Sequence, residues 1–288
     1  MKAKEQSESG RISLFLTLIF HCLFGIQYSP YSLFLHRFFK TIAGCHKYFA
    51  KGLQSSCMRK TWWKILCVAL LIYTFTAGLL ADVPYKTTLE ETIRNLYFHV
   101  CMWFCMMILF TASAVYAIKY LRSNNLKHDI YSRQFAVVGI VFGVLGYATG
   151  IVWMSYTWAD PNNPAFQSFN AVAREPKLIG AAIALLIYFA YLILRDSIPD
   201  IDKRARVSSV YNIFAFALLF PTIWIIPRLL PSLHPGGENG NPALDFKDID
   251  SRMRMVFYPA VLGWTLLGVW ITSLKIRLSL LKEKSLLP

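Results

Sequence analysis

A chain of 288 residues that is 56% hydrophobic and 15% aromatic carries only 16% charged residues, against roughly 25% in an ordinary soluble domain. This composition excludes a water-soluble globule and specifies an integral membrane protein. The net charge of +14 does not mark nucleic-acid binding, because Lys and Arg sit in short stretches between apolar runs, the pattern of signals facing an anionic cytoplasmic leaflet.

Residues 1–57 stand apart from the rest. They hold His21, His36 and His46, Cys22, Cys45 and Cys57, and a net charge of +5 from seven Lys/Arg and two Glu. Ile12 to Gly25 is apolar over about 14 residues, short of the roughly 20 that a span needs, and no small-x-small cleavage site follows. Met58-Arg59-Lys60-Thr61-Trp62-Trp63-Lys64 then reads as the start of an inner-membrane protein, cationic with interfacial tryptophans. Residues 1–57 are expected to be an N-terminal extension, and 58–288 the membrane domain.

Six apolar runs of spanning length follow, at about 64–81, 100–118, 134–154, 178–194, 210–227 and 256–274. Helices satisfy their own backbone in lipid and open strands do not. The expected fold is therefore an all-α integral membrane protein, a six-transmembrane-helix bundle with outward-facing loops. Gly139, Gly143, Gly146 and Gly150 in the third run allow close helix contact. The six cysteines include no C-x-x-C pair and no C-x-x-C-H, so neither a zinc site nor covalent c-type haem is indicated. Cys101 and Cys105 read as small packing residues on one helix face. A phosphate-binding G-x-x-x-x-G-K-[ST] loop is also missing from the sequence.

The loops alternate in charge. One set, from Arg59 to Lys64 and on through 119–133, 195–206 and 275–284, carries fifteen Lys/Arg; the opposite set, in 82–99, 155–177 and 228–255, carries eight. The richer side is inside. His128 falls on that side, in a solvated loop. His99 and His234 fall on the opposite, outer side.

Two imidazoles on one face of a histidine-poor chain are candidate axial ligands for haem iron. His99 opens the second span, where a helix N-terminus keeps an imidazole neutral. Trp153 and Trp158, with Tyr156 between them, offer flat apolar walls. Arg94 and Lys177 are cations suited to propionates, Arg with the better bidentate geometry. Each also has a plainer reading: tryptophans at span ends anchor at the interface, a lone Arg snorkels, and a helix-start His caps. What sets these residues apart is that they fall together on one side.

The stretch Arg94-Asn95-Leu96-Tyr97-Phe98-His99-Val100 resembles the region before the second span in the CcmC family, the haem exporter C proteins of cytochrome c maturation. Gly150 to Trp158 resembles the start of that family's tryptophan-rich WWD loop, and Glu175 to Ala182 its end. Ser232-Leu233-His234-Pro235-Gly236 resembles its second histidine loop. The W-x-W-D half departs from the pattern: Ala171-Val172-Ala173-Arg174-Glu175 stands in its place, about ten extra residues precede it, and Phe166 and Phe169 are substitute walls.

The resemblance implies a multi-pass protein of the bacterial inner membrane that binds haem b at its periplasmic face. His99 and His234 fall on the axial ligands, and Trp153 and Trp158 on the haem-contacting tryptophans. Arg94 and Lys177 fall on the basic residues beside the haem, and Glu175 on the acid of the tryptophan loop. Its implied partners are a CcmE-like periplasmic haem chaperone, CcmAB-like ABC transporter subunits and a small CcmD-like membrane protein. No catalytic acid–base pair is legible, so handover and not catalysis is expected. A haem or small-solute permease subunit and a haem-bearing membrane redox protein are the alternative classes.

Overall fold

Among the described residues, six helices are long and apolar enough to cross a membrane. They are α1 (Trp62–Leu80), α2 (Leu96–Ser123), α3 (Leu126–Thr157), α4 (Pro176–Asp196), α5 (Ile201–Phe220) and α6 (Ser251–Ser285). A 3₁₀ turn, Glu90–Asn95, leads into α2, and a π-helical turn, Pro221–Ile225, continues α5. The structure is a computed structural model and describes residues 61–85, 89–157, 174–225, 229–230 and 249–285. The chain divides into two compact units, Met1–Thr61 with Gly240–Ile249 and Trp62–Asn239 with Asp250–Pro288. All six helices belong to the second. The expected break at Met58 lies outside the described residues.

The helices outrun the apolar segments that predict them. α3 begins at Leu126 and α5 at Ile201, each about two turns before its apolar run. An apolar run marks the lipid thickness, whereas backbone hydrogen bonding continues wherever the end of the helix is capped. The Asp200 carboxylate accepts the Lys203 N–H at 2.7 Å to start α5. Pro176 stands at the start of α4 behind Glu175, whose carboxylate accepts the Lys177 N–H at 3.3 Å. Asn124 closes α2 in the left-handed region, φ 50°, with its N–H on the Tyr120 carbonyl at 2.7 Å. Asp250 precedes α6; the Arg252 N–H, 2.9 Å from its carboxylate, holds that carboxyl below the usual carboxylate range.

α2 is the axle. It is the most buried span and packs against α3, α5 and α6, while α4 bridges α3 and α5 and α1 lies on α6. The α2–α3 contact is keyed residue by residue. A Cβ added at Gly150, Gly146, Gly143 or Gly139 would meet His99, Trp103, Met106 or Phe110 at 2.6, 3.1, 2.8 and 2.7 Å. Four large side chains at steps of four, three and four along α2 thus seat on four glycines at matching steps back along α3. Register between the two helices is fixed by shape, since sliding either one puts a side chain onto a backbone that has no room.

The far end of the bundle is held by polar contacts. Asp129 in the first turn of α3 takes the Arg195 guanidinium of α4 through both oxygens, Nη1 to Oδ1 at 2.7 Å and Nη2 to Oδ2. Both side chains are buried, at 7% and 6% exposure. Deeper in the bundle, Ser113 of α2 and Ser132 of α3 each donate to the other's carbonyl, at 2.7 and 3.0 Å. The Asn212 amide of α5 reaches both hydroxyls at 2.7 and 2.8 Å.

Candidate functional site

At the opposite end, α1 finishes at Leu80, the 3₁₀ turn climbs onto α2, and α3 ends at Thr157. These three segments enclose a groove of about 480 Å³ lined by Leu79, Thr92, Arg94, Phe98, Trp153 and Tyr156 among others. Its walls are mostly aromatic and aliphatic, with one guanidinium at the rim. That is the usual make-up of a site for a flat apolar ligand with a few polar handles.

His99 stands beside this groove, buried at 6% exposure. Its Nδ1 lies 2.8 Å from the Gly146 carbonyl oxygen and 3.2 Å from the Thr149 hydroxyl. A carbonyl only accepts, so Nδ1 carries the proton and donates it. In the neutral ring that leaves the lone pair on Nε2. Gly150 provides the room, because a Cβ there would sit 2.6 Å from Cε1 of the ring. Trp153 and Trp103 meet the imidazole edge-on, with centroids at 5.8 and 6.2 Å.

His99 lies in the first turn of α2, three residues after Leu96, as expected of a residue that opens the second span. The 3₁₀ turn runs straight into α2, so the helical segment starts at Glu90, nine residues earlier. The positive end of a helix dipole acts only within its first turn. The Gly146 carbonyl fixes Nδ1 as a proton-bearing nitrogen.

Trp153 is itself held. Its indole N–H donates to the Thr92 hydroxyl at 3.2 Å, and that hydroxyl donates to the Leu89 carbonyl. Asn95 ties the start of α2 to α3 through Nδ2 and the Thr149 carbonyl, 3.3 Å apart. Arg94 lines the groove and also caps α1, with Nη1 donating to the carbonyls of Gly78 and Ala81. The Gly78 carbonyl lies in the last turn of α1 and the Ala81 carbonyl just past its end, where no helical N–H follows to bond them. Nε of Arg94 pairs with Glu91 at 2.7 Å.

The structure therefore sets Trp153 against His99 and along the same groove as Arg94, while His99 itself does not line the groove. Glu175 is elsewhere, buried as the cap of α4, and neither it nor Lys177 lines the groove. His234 and Trp158 lie outside the described residues. His128, expected in a solvated loop, is in the first turn of α3, half-buried, with Nδ1 2.9 Å from the Ser123 hydroxyl.

Sequence reasoning passed over Glu91, Thr92, Asn95 and Thr149, and gave Gly146 and Gly150 a packing role alone. The signal that could have found the seat is the shared four-three-four spacing of 99, 103, 106, 110 and 139, 143, 146, 150. The three cysteines of the described residues, Cys67, Cys101 and Cys105, are buried and unlinked.

These features define a multi-pass membrane protein with, at one end of its bundle, a buried histidine beside an aromatic groove with a cationic rim. The chain belongs to the CcmC family, haem exporter protein C, whose model matches residues 46–286. It is similar to the cytochrome c biogenesis protein CcsA of Cuscuta reflexa, 24% identical over 237 residues that span 76% of this chain and 70% of that protein. The haem exporter protein C of Haemophilus influenzae is 22% identical over 209 residues, 73% of this chain and 80% of that protein.

Proposed function

We propose that this chain binds haem b at the periplasmic face of a bacterial inner membrane and passes it to a CcmE-like chaperone for cytochrome c biogenesis. CcmAB-like transporter subunits and a CcmD-like protein complete the assembly in this reading. Membership of the haem exporter family supports the haem-handling part, and the charge asymmetry of the loops supports the outward face.

The observation that carries the proposal is the His99 imidazole, buried and committed through Nδ1 to the Gly146 carbonyl, with Trp153 on its edge. A neutral, oriented imidazole beside aromatic walls and a guanidinium fits the needs of haem, which wants an axial nitrogen, flat apolar surfaces and a partner for its propionates. His234 and Trp158 are assigned as the second ligand and second wall on the resemblance of their loops. His99 and His234 would hold a bound haem through its iron, and two imidazole ligands would keep oxygen chemistry away from a cargo that must be released intact.

The absorption spectrum of the purified protein is the test. Wild type is expected to show six-coordinate low-spin haem. His99→Ala and His234→Ala should each leave five-coordinate or weakly held haem that added imidazole restores. Retention of the wild-type spectrum in both variants rules the assignment out.

A further inference from the structure

The groove's cation already has a carboxylate on it. In a 3₁₀ helix, side chains three residues apart eclipse one another, and the turn Glu90–Asn95 places Glu91 directly over Arg94. Glu91 Oε2 is 2.7 Å from Arg94 Nε. The two partners differ in freedom. Arg94 is 18% exposed and pinned through Nη1 to the carbonyls of Gly78 and Ala81, whereas Glu91 is 77% exposed. The cation cannot leave its place at the end of α1 without stripping that helix of its cap. The anion can swing into solvent at little cost, since an exposed i,i+3 ion pair is weak. Both line the same groove as Phe98, Trp153 and Tyr156.

We infer that Glu91 is a built-in competitor for the ligand's carboxylate: it occupies Arg94 in the empty groove and is displaced when a flat carboxylate-bearing ligand docks. The inference rests on the haem reading above and deepens it. A ligand carboxylate gains only the difference between its own contact with Arg94 and the one Glu91 already makes. Affinity at the rim is thereby held down, and on departure the guanidinium is re-paired at once by a group three residues away. For a protein that hands its cargo on, this favours release without weakening the iron ligand.

The test uses the full-length protein in detergent, titrated with iron-free protoporphyrin IX and with its dimethyl ester, and followed by quenching of tryptophan fluorescence. Without iron, His99 contributes no metal bond; without free carboxylates, the ester cannot compete with Glu91. Glu91→Gln is expected to tighten the free acid about two- to fivefold, the range an exposed ion pair spans, and to leave the ester unchanged. Glu90→Gln removes the same charge one residue away from a side chain that forms no ion pair with Arg94 among the described residues, and should shift the free acid less. Equal effects of the two variants, or equal effects on acid and ester, overturn the inference while leaving the haem reading intact. If the free acid does not bind wild type, the inference fails, while the haem reading stands or falls on the absorption spectrum of the haem-loaded protein.

Discussion

Nδ1 of His99 lies 2.8 Å from the carbonyl oxygen of Gly146. That one contact converts a residue of either tautomer into one with a defined donor side and a defined lone pair. It is made by backbone, so no side-chain substitution on α3 removes it directly. With selectively ¹⁵N-labelled histidine, the ligand-free protein should show His99 as the Nδ1–H tautomer, assigned by comparison with His99→Ala. An Nε2–H signature would mean that the ring is turned the other way and the carbonyl has another donor.

The seat can be tested by filling it. Gly150 and Gly143 both face a side chain of a neighbouring helix at 2.6 Å from an added Cβ, His99 in one case and Leu185 in the other. Alanine at either position overpacks the helix contact and should lower stability by about 1–3 kcal/mol. Only Gly150→Ala pushes on the imidazole. It should reduce the low-spin fraction of bound haem, whereas Gly143→Ala should lower the unfolding temperature in detergent and leave the spectrum of the folded protein as in wild type. Identical spectra for the two would remove the positioning role from Gly150.

Trp153 depends on Thr92 for its orientation, through a 3.2 Å hydrogen bond from the indole N–H. Thr92→Val keeps the shape and deletes the acceptor, and a bond of this kind contributes about 1 kcal/mol. Haem occupancy at limiting concentration should fall about fivefold, with no change in the coordination of the haem that remains, since stacking holds the ring and not the iron. Thr92→Ser, which keeps the hydroxyl, should restore occupancy.

Much of the architecture was readable from the sequence, and the reasons are physical. Six apolar runs give six helices because lipid leaves the backbone no other partner. Helix ends were less legible: α3 starts about two turns ahead of its apolar run, and Asp129, a polar residue in those turns, finds Arg195 on α4. Tertiary pairing of this kind leaves no trace in local composition. Arg195 falls among the loop cations of the richer side, yet it forms a buried ion pair with Asp129. Of the residues singled out in the sequence, Trp153 packs against His99 and shares the groove with Arg94; a histidine, a tryptophan and an arginine at span ends are chemically conspicuous. Glu175 was named for its charge, and the structure gives it the cap of α4. Thr92, Asn95 and Thr149 carry no such flag, and their roles follow from the α2–α3 register alone.

The Asp129–Arg195 pair should be unequal in its response to single and double replacement. Removing one partner leaves a buried, uncompensated charge, at a cost of about 3–5 kcal/mol. Asp129→Leu or Arg195→Met alone should therefore unfold well below wild type in a detergent melt. The double variant replaces the pair with apolar groups and should recover most of the loss. Additive losses in the double variant would show that the pair's own attraction, and not relief of a stranded charge, dominates.

The clasp around Asn212 makes a sharper case: its distances define one proton arrangement, which leaves the Asn212 Oδ1 buried without a hydrogen bond. Ser113 and Ser132 have one hydroxyl proton each, and each donates it to the other helix's carbonyl, at 2.7 and 3.0 Å. Both hydroxyl oxygens are left as acceptors, and the amide of Asn212 has one N–H for each, at 2.7 and 2.8 Å. Any group placed at 212 must therefore donate twice to keep the clasp. Leucine donates nothing, but it fills similar space; hydrogen bonds between membrane helices average about 0.6 kcal/mol, so Asn212→Leu should cost about 1–2 kcal/mol. Aspartate is nearly the same shape and fails differently. Ionised, it offers only acceptors to two oxygens whose protons are already committed, in a place that is fully buried; even protonated, it has a single proton for two positions. Asn212→Asp should therefore unfold at a lower temperature than Asn212→Leu, although it is the more conservative change by volume. The reverse ranking would mean that the serine protons point towards 212 and the clasp is wired the other way.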